Sequence, residues 1–204
     1  LARLTESRGP FAGRDLSRPL VMGVVNVTPD SFSDGGDHAD PAKAVVHARA
    51  LAAAGADILD IGGESTRPGA APVSPAEECD RILPVVEAAV ADGVTVSVDT
   101  MRAETMRAAV SAGASVINDI TALTGDPDAL RTVAETDAAV VLMHIQGTPD
   151  TMQDDPAYHL ASVDIYRWLE ARVAACEAAG ITRSRIAVDP GIGFGKTDAH
   201  NMEI

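Results

Sequence analysis

Short runs of aliphatic and β-branched residues alternate along the chain with longer, alanine-rich amphipathic stretches. The aliphatic runs are apolar enough to be covered on both faces, as strands of parallel sheets are, and they lie at 20–25, 57–61, 94–98, 115–117, 138–143 and 185–188. The amphipathic stretches lie near 40–54, 75–91, 102–112, 127–136 and 159–179, and a further one begins at residue 198. This alternation predicts βα units around a parallel sheet.

Local signals place the ends of several of these helices. Asp40 and Ser74 each precede a proline, which suits an N-cap residue followed by proline at the first helical position. Four glycines follow amphipathic stretches and predict helix C-termini, namely Gly55, Gly93, Gly113 and Gly180.

Two α/β architectures fit six such units, an open doubly wound sheet and an eight-fold barrel. We favour the barrel, because every strand-to-helix unit runs without an obvious reversal and polar residues follow every strand. Such barrels usually need about 250 residues, whereas this chain has 204 and ends within a helical pattern. We therefore expect a TIM (β/α)8 barrel of which about six strands and five to six helices are present, as one domain over 1–204 that is incomplete at its C-terminus.

Composition excludes several classes of protein. The formal net charge of −14 should repel nucleic acid and anionic lipid. No apolar run approaches the roughly 18 residues of a membrane span. Cys79 and Cys176 are the only cysteines and have no ligand pattern around them, so neither a zinc site nor a disulfide framework is indicated. These features predict a cytoplasmic protein with no nucleic-acid or membrane partner.

Polar side chains stand at the carboxyl end of every predicted strand, where barrels and open parallel sheets place their working groups. Any one of them could simply cap a helix, but together they form a set rich in carboxylates and carboxamides. Such groups can pair with the donor and acceptor edge of a flat heterocycle. No Cys-His pair or Gly-x-Ser-x-Gly sequence indicates covalent catalysis. The set comprises Asn26, the segment 62–67, Asp99, Asn118 with Asp119, His144 and Asp189.

Two loops, 26–36 and 62–69, are rich in Gly, Pro, Ser and Thr and can offer backbone N–H groups to a ligand. Arg67 in the second loop could receive a phosphate or carboxylate bidentately. Arg67 and Lys196 are the cations that we expect to attract an anionic substrate group.

The segment 191–197 superficially resembles both a dinucleotide loop and a P-loop, but its spacing satisfies neither. It is better interpreted as a loop after Asp189 that needs close backbone approach, with Phe194 available to stack on a ring. His144 is interpreted as a hydrogen-bonded residue at the rim of the sheet in preference to a metal ligand.

Six motifs together resemble the dihydropteroate synthase family of bacterial folate biosynthesis, and the match covers almost the whole chain. The motifs are MGVVNVTPDSFSDGG at 22–36, DIGGESTRPG at 60–69, SVDT at 97–100, IND at 117–119, MH at 143–144 and DPGIGFGK at 189–196. The resemblance implies a transferase that joins 6-hydroxymethyl-7,8-dihydropterin pyrophosphate to p-aminobenzoate with Mg²⁺. It also implies a sulfonamide target and, for the full-length protein, a homodimer.

The family pattern also implies roles for individual residues. Asp99, Asn118 and Asp189 would hold the pterin ring, with Met143 among the substrate-binding residues. The p-aminobenzoate side would be formed by Thr66, Pro68 and Phe194. Asn26 would touch both magnesium and pyrophosphate, Arg67 would bind an anionic group, and Asp34 would close over the reacting centre, so these three are the expected catalytic residues.

Two alternatives share part of this pattern, a pterin-binding methyltransferase domain and a non-catalytic pterin-binding protein. The methyltransferase has little reason to carry the two loop motifs. Family members continue into two further strands that carry additional cations, and we expect the 204-residue chain alone to lack measurable synthase activity.

Overall fold

The computed structural model describes residues 9–28, 40–65 and 72–204. Its strands are β1 (Met22–Asn26), β2 (Ile58–Gly62), β3 (Thr95–Asp99), β4 (Val116–Asp119), β5 (Ala139–Met143) and β6 (Ile186–Asp189). The α-helices of these residues are α1 (Pro41–Ala53), α2 (Pro75–Ala91), α3 (Ala103–Ser111), α4 (Ala129–Ala134), α5 (Ala161–Ala178) and α6 (Asp198–Glu203). Each strand and helix predicted from the hydrophobic pattern is present, and none of the predicted ends differs from the structure by more than two residues.

The six strands form one parallel sheet in the order β1-β2-β3-β4-β5-β6. A doubly wound sheet would instead place its first strand in the interior and reverse direction there. Consecutive parallel neighbours joined by helices are the arrangement of a (β/α) barrel, so the predicted fold class is confirmed. Within the described part of the chain, no pairing closes β1 onto β6.

The predicted helix ends are confirmed by their geometry. The Asp40 carboxylate accepts hydrogen bonds from the N–H groups of Ala42 and Lys43, and the Ser74 hydroxyl accepts one from Glu77. The four predicted stop glycines have φ between 75° and 107°, a range that residues with a Cβ rarely adopt.

The core lies between the sheet and its helices. Val25, Ile61 and Val98 are fully buried, and they pack with Val86 of α2 and Met106 of α3. The expectation that every strand is covered on both faces is wrong for the outer strands: Val24 of β1 is 55% exposed and Val188 of β6 is 53% exposed. Both strands have only one neighbour in the described sheet, which leaves part of their surface open. None of the helices described is both long and apolar enough to cross a bilayer.

Candidate active site

The carboxyl ends of neighbouring strands are aligned in register, which brings the predicted polar residues to one edge. Asn26 pairs with Gly62, Gly62 with Asp99, and Asp99 with Asn118. Farther along the sheet, Met143 pairs with Asp189. Asn26 is exposed, Asp99 and Asn118 are half-buried, and Met143 is buried. The structure therefore brings together five of the predicted site residues.

Asp60 of β2 lies directly beneath this row and was not predicted as part of the site. It is 5% exposed, and its carboxylate accepts hydrogen bonds from Ser97 Oγ at 2.6 Å and from Asn118 Nδ2 at 2.9 Å. Burial raises the pKa of Asp60, although both hydrogen bonds oppose that shift. Its position inside the apolar run Leu59-Asp60-Ile61 is the sequence signal that could have identified it, because a carboxylate is rarely placed in a buried strand without a partner.

The surroundings of Asp99 disfavour the charged form of its carboxyl group. Burial raises the pKa of its carboxyl well above the usual value, and the nearby carboxylates of Asp60 and Asp119 raise it further. A ligand whose N–H groups donate to Asp99 would lower the pKa of this carboxyl, since hydrogen bonds to a carboxylate stabilise its charged form. The site is therefore suited to a ligand rich in hydrogen-bond donors.

Asp119 has a local structural role and does not complete the row. Its Oδ1 atom accepts hydrogen bonds from the backbone N–H and the hydroxyl of Thr121, both at 2.7 Å, and Oδ2 accepts one from the Leu123 N–H at 3.0 Å. These bonds hold a turn in which Ala122 and Leu123 adopt positive φ values of 50° and 62°. Burial raises the pKa of Asp119 in spite of these bonds.

The ends of β5 and β6 are joined through a buried lysine. The Nζ atom of Lys196 donates to the carbonyl oxygen of Phe194 at 2.8 Å, to Nδ1 of His144 at 3.1 Å and to the carbonyl oxygen of His144 at 3.3 Å. Burial lowers the pKa of His144 to about 4, and the Lys196 charge contributes to the shift. The interpretation of His144 as a hydrogen-bonded residue is consistent with this geometry, whereas the prediction that Lys196 attracts an anionic substrate group is wrong, because Lys196 is only 3% exposed.

Asp189 ends β6 and is tied to the loop that follows it. Its Oδ1 atom accepts a hydrogen bond from the Gly191 N–H at 2.7 Å, and its carbonyl oxygen accepts one from the His144 N–H at 3.0 Å. Phe194 in this loop is half-buried. The loop therefore presents Phe194 from a backbone that is anchored at both ends.

A second cluster of charged groups lies beside the row, at the base of the segment that follows β2. Arg102 forms a two-pronged ion pair with Glu64 and a further contact with Glu78 at 3.3 Å. Glu78 is fully buried, its Oε1 atom has no hydrogen-bond partner, and burial raises its pKa. Glu64 also accepts a hydrogen bond from the Val73 N–H at 3.2 Å, which links residues on either side of 66–71.

Four predicted site residues lie outside the residues that the structure describes: Asp34, Thr66, Arg67 and Pro68. Among the described residues there is no group of three or more His, Cys, Asp or Glu side chains that could hold a metal ion. Asn26 contributes one amide oxygen at the end of β1, a ligand of the type that Mg²⁺ accepts.

A family model and two sequence relatives indicate the same family for this chain. A family model described as "Pterin binding enzyme" matches residues 22–204. The chain is 51% identical over 191 residues to dihydropteroate synthase of Escherichia coli K12, a match that covers 93% of this chain and 67% of that protein. It is 48% identical over 192 residues to dihydropteroate synthase of Neisseria meningitidis serogroup C, covering 93% and 68%.

Solved structures agree with the sequence matches. Xanthomonas albilineans dihydropteroate synthase with 4-aminobenzoic acid superposes with a TM-score of 0.87 and 51% identity, covering 97% of this chain and 71% of that one. The same enzyme in complex with 7,8-dihydropteroate gives 0.81 and 48%, covering 92% and 66%. A Yersinia pestis enzyme in a sulfonamide drug complex gives 0.86 and 52%, covering 92% and 68%.

Proposed function

This chain belongs to the dihydropteroate synthase family of pterin binding enzymes, and we propose that the intact gene product joins 6-hydroxymethyl-7,8-dihydropterin pyrophosphate to p-aminobenzoate. The products are 7,8-dihydropteroate and pyrophosphate. The observation that carries the proposal is the row in which half-buried Asp99 stands beside half-buried Asn118, with the buried Asp60 beneath it.

The pterin ring is bound at this row. Asp99 accepts hydrogen bonds from ring N–H and amino groups, and these donors stabilise a carboxylate that burial and neighbouring acids otherwise disfavour. Asn118 presents its remaining amide atom to the same edge, because Nδ2 is directed at Asp60. Asp189 supplies a third acceptor from β6. Recognition by several fixed acceptors favours a heterocycle with matching donors over one without them.

The p-aminobenzoate ring is bound between Phe194, Met143 and the segment that carries Thr66, Arg67 and Pro68. Phe194 supplies an aromatic face for the ring. Arg67 binds an anionic group at the mouth of the site, since its guanidinium can form paired hydrogen bonds to a carboxylate or phosphate.

The pyrophosphate is bound at the end of β1. Asn26 is exposed there, and its amide oxygen suits Mg²⁺, which commonly takes one or two protein oxygens together with substrate phosphates and water. When bound, Mg²⁺ neutralises charge on the departing pyrophosphate. The family resemblance also assigns Asp34, in the motif at 22–36, to the reacting centre.

The reaction is a substitution at the methylene carbon of the pterin. The lone pair of the p-aminobenzoate amine nitrogen forms the new C–N bond while the C–O bond to pyrophosphate breaks. The electron pair of the C–O bond leaves with the pyrophosphate oxygen. The amine proton passes to solvent. The protein contributes orientation of the two rings and exclusion of competing water, and it needs no nucleophile of its own.

Three further features stay predictions: a single domain, which the chain length indicates, a cytoplasmic location, which the composition indicates, and a homodimer, which the resemblance implies.

The test is an assay of the intact gene product with Mg²⁺ for pyrophosphate release and dihydropteroate formation. We expect release that depends on p-aminobenzoate and one dihydropteroate for each pyrophosphate. Pterin binding without any release would instead indicate the non-catalytic alternative. Methyl transfer from a methylated pterin, without a need for p-aminobenzoate, would indicate the methyltransferase.

A further inference from the structure

Lys196 is a buried cation whose hydrogen-bonding capacity is used within the protein. An ammonium group has three donors, and Nζ lies within hydrogen-bond distance of three acceptors, the carbonyl oxygens of Phe194 and His144 and the Nδ1 atom of His144. With 3% of its surface exposed, Lys196 has no donor left for a substrate. Any role that it has in the reaction must therefore act through its neighbours.

The acceptors belong to two different strand ends. His144 directly follows β5, and Phe194 lies in the loop after β6. The two backbones touch at this point, because a Cβ added at Gly191 would lie 2.1 Å from the His144 carbonyl oxygen, and the φ of Gly191 is +68°. Glycine at position 191 permits this close approach of the two backbones. The Lys196 ammonium stabilises it by donating hydrogen bonds to carbonyl groups on both sides.

Further contacts hold the same loop from outside. Tyr158 donates its hydroxyl to the Gly195 carbonyl at 2.6 Å, and Gln153 donates its amide to the Gly193 carbonyl at 2.6 Å. The loop is thus attached at consecutive points on either side of Phe194. Lys196 is the attachment that bonds to the Phe194 carbonyl itself.

A contribution to folding stability alone does not explain why a charged side chain is buried at position 196. Burial lowers the pKa of Lys196 to about 8, and the attraction of Asp189 offsets only part of that effect. An apolar side chain of similar length would avoid the cost of desolvating an ammonium group. What an apolar side chain cannot do is bond to two carbonyl groups on different strand ends.

We propose that Lys196 is a positioning residue that holds Phe194 in the place from which it contacts p-aminobenzoate, by fastening the Phe194 carbonyl to His144 at the end of β5. The proposal rests on the proposed function, since it takes Phe194 to form the p-aminobenzoate side of the site. It adds a residue that never touches either substrate.

The experiment compares Lys196→Met with Lys43→Met in the intact protein. These are the only two lysines of the chain, and Lys43 is exposed in the first turn of α1. For Lys196→Met we expect the KM for p-aminobenzoate to rise about tenfold, the size of effect that follows from losing one positioning hydrogen bond. The KM for the pterin pyrophosphate and the Kd for free pterin should stay within about twofold of the wild-type values, a change too small to reflect a lost hydrogen bond. Lys43→Met should match the wild type in all of these quantities.

Trp168, the only tryptophan, reports on the folded state, since its ring meets the His144 ring edge-on with 5.0 Å between centroids. Its fluorescence during urea unfolding shows whether each variant is folded under assay conditions. If Lys196→Met is not folded, Lys196→Gln, which keeps an amide donor, takes its place with the same expected direction of change. If neither variant folds, Lys196 is a stability residue and the positioning role is overturned.

A folded, active variant with an unchanged KM for p-aminobenzoate overturns the proposal and leaves the synthase assignment standing. Equal losses for both substrates, or a lower kcat with both KM values unchanged, indicate a general structural role and also overturn it. A wild-type protein that forms no dihydropteroate overturns the proposed function, and the positioning role falls with it.

Discussion

The side-chain amide of Asn118 donates a hydrogen bond from Nδ2 to Oδ2 of Asp60 at 2.9 Å, across the intervening strand β3. Ser97 of β3 donates to the other carboxylate oxygen at 2.6 Å. Because a carboxylate only accepts hydrogen bonds when ionised, this contact fixes which end of the Asn118 amide faces Asp60. The carbonyl oxygen Oδ1 is left to accept from a ligand.

We therefore expect Asp60→Asn to weaken pterin binding although Asp60 lies beneath the site. An amide at position 60 can donate as well as accept, so Asn118 loses its fixed orientation. The expected loss is about 1 to 2 kcal/mol in binding free energy, the worth of one ligand hydrogen bond. Calorimetry with free pterin measures it, and Ser97→Ala serves as a control that leaves the bond between Asn118 and Asp60 in place. Equal affinity in Asp60→Asn and wild type would contradict this orienting role.

Asp99→Asn should stabilise the free protein and impair ligand binding. The pKa of the Asp99 carboxyl is raised in the folded state, so the folded protein favours the protonated form. The free energy of unfolding therefore falls as the pH rises from the pKa of Asp99 in the unfolded chain to its pKa in the folded protein. Asparagine has no charge to bury. Urea unfolding should show a gain of about 1 kcal/mol at pH 8, and a smaller gain at pH 5.

The same substitution should cost on the order of 2 to 4 kcal/mol in pterin affinity, since asparagine accepts with one oxygen only and its NH2 group faces the second ring donor. Calorimetry that shows unchanged pterin binding would remove Asp99 from the site. A lower free energy of unfolding for Asp99→Asn than for the wild type at pH 8 would show that burial and the neighbouring carboxylates do not disfavour the charged form of Asp99.

Asn26→Ala should discriminate between two forms of the same ligand. Asn26 lies at the exposed end of β1, and in the proposed site it contacts magnesium and pyrophosphate and leaves the ring to other residues. We expect free pterin to bind as in wild type and the pyrophosphate ester to bind more weakly in the presence of Mg²⁺. Titrations of both ligands, with and without Mg²⁺, make the comparison. Equal losses for the two ligands would assign Asn26 to the ring.

His144 should make the protein sensitive to acid. Burial, with the charge of Lys196, lowers its pKa from 6.5 to about 4 in the folded state. A lowered pKa means that the stability contribution is present above pH 6.5 and is lost as the pH falls toward 4. The difference in unfolding free energy between wild type and His144→Gln should shift in favour of the variant by about 3 kcal/mol from pH 7 to pH 4.

Urea unfolding at several pH values, followed by Trp168 fluorescence and circular dichroism, tests this prediction. His47→Gln is the matched control, because His47 is exposed on α1. A difference between wild type and His144→Gln that does not change with pH would show that His144 is not held neutral by its surroundings.

Sequence information was sufficient for features that depend on near neighbours in the chain. Asp40 and Ser74 begin helices because capping involves bonds to residues two or three positions away. Asp99 and Asn118 were found because strand ends are marked by where an apolar run stops. In parallel sheets such ends meet at one edge.

Features that depend on distant partners were not found in this way. Arg102 pairs with Glu64, 38 positions earlier, and nothing in the spacing of the two residues indicates that contact. Lys196 was expected at an anionic ligand, but its side chain lies against His144, 52 positions earlier. In both cases the three-dimensional path of the backbone decides which acceptors a long basic side chain can reach.

The consecutive order of the six strands has a consequence for biosynthesis. Each inner strand, β2 to β5, pairs with the one translated immediately before it and with the next one to emerge. The sheet can therefore grow in the direction of synthesis, because each new strand from β2 to β6 meets a partner that has already been made. Pairing between consecutive strands limits the sequence separation of the paired residues to about one βα unit, which shortens the loops that must close as the sheet forms.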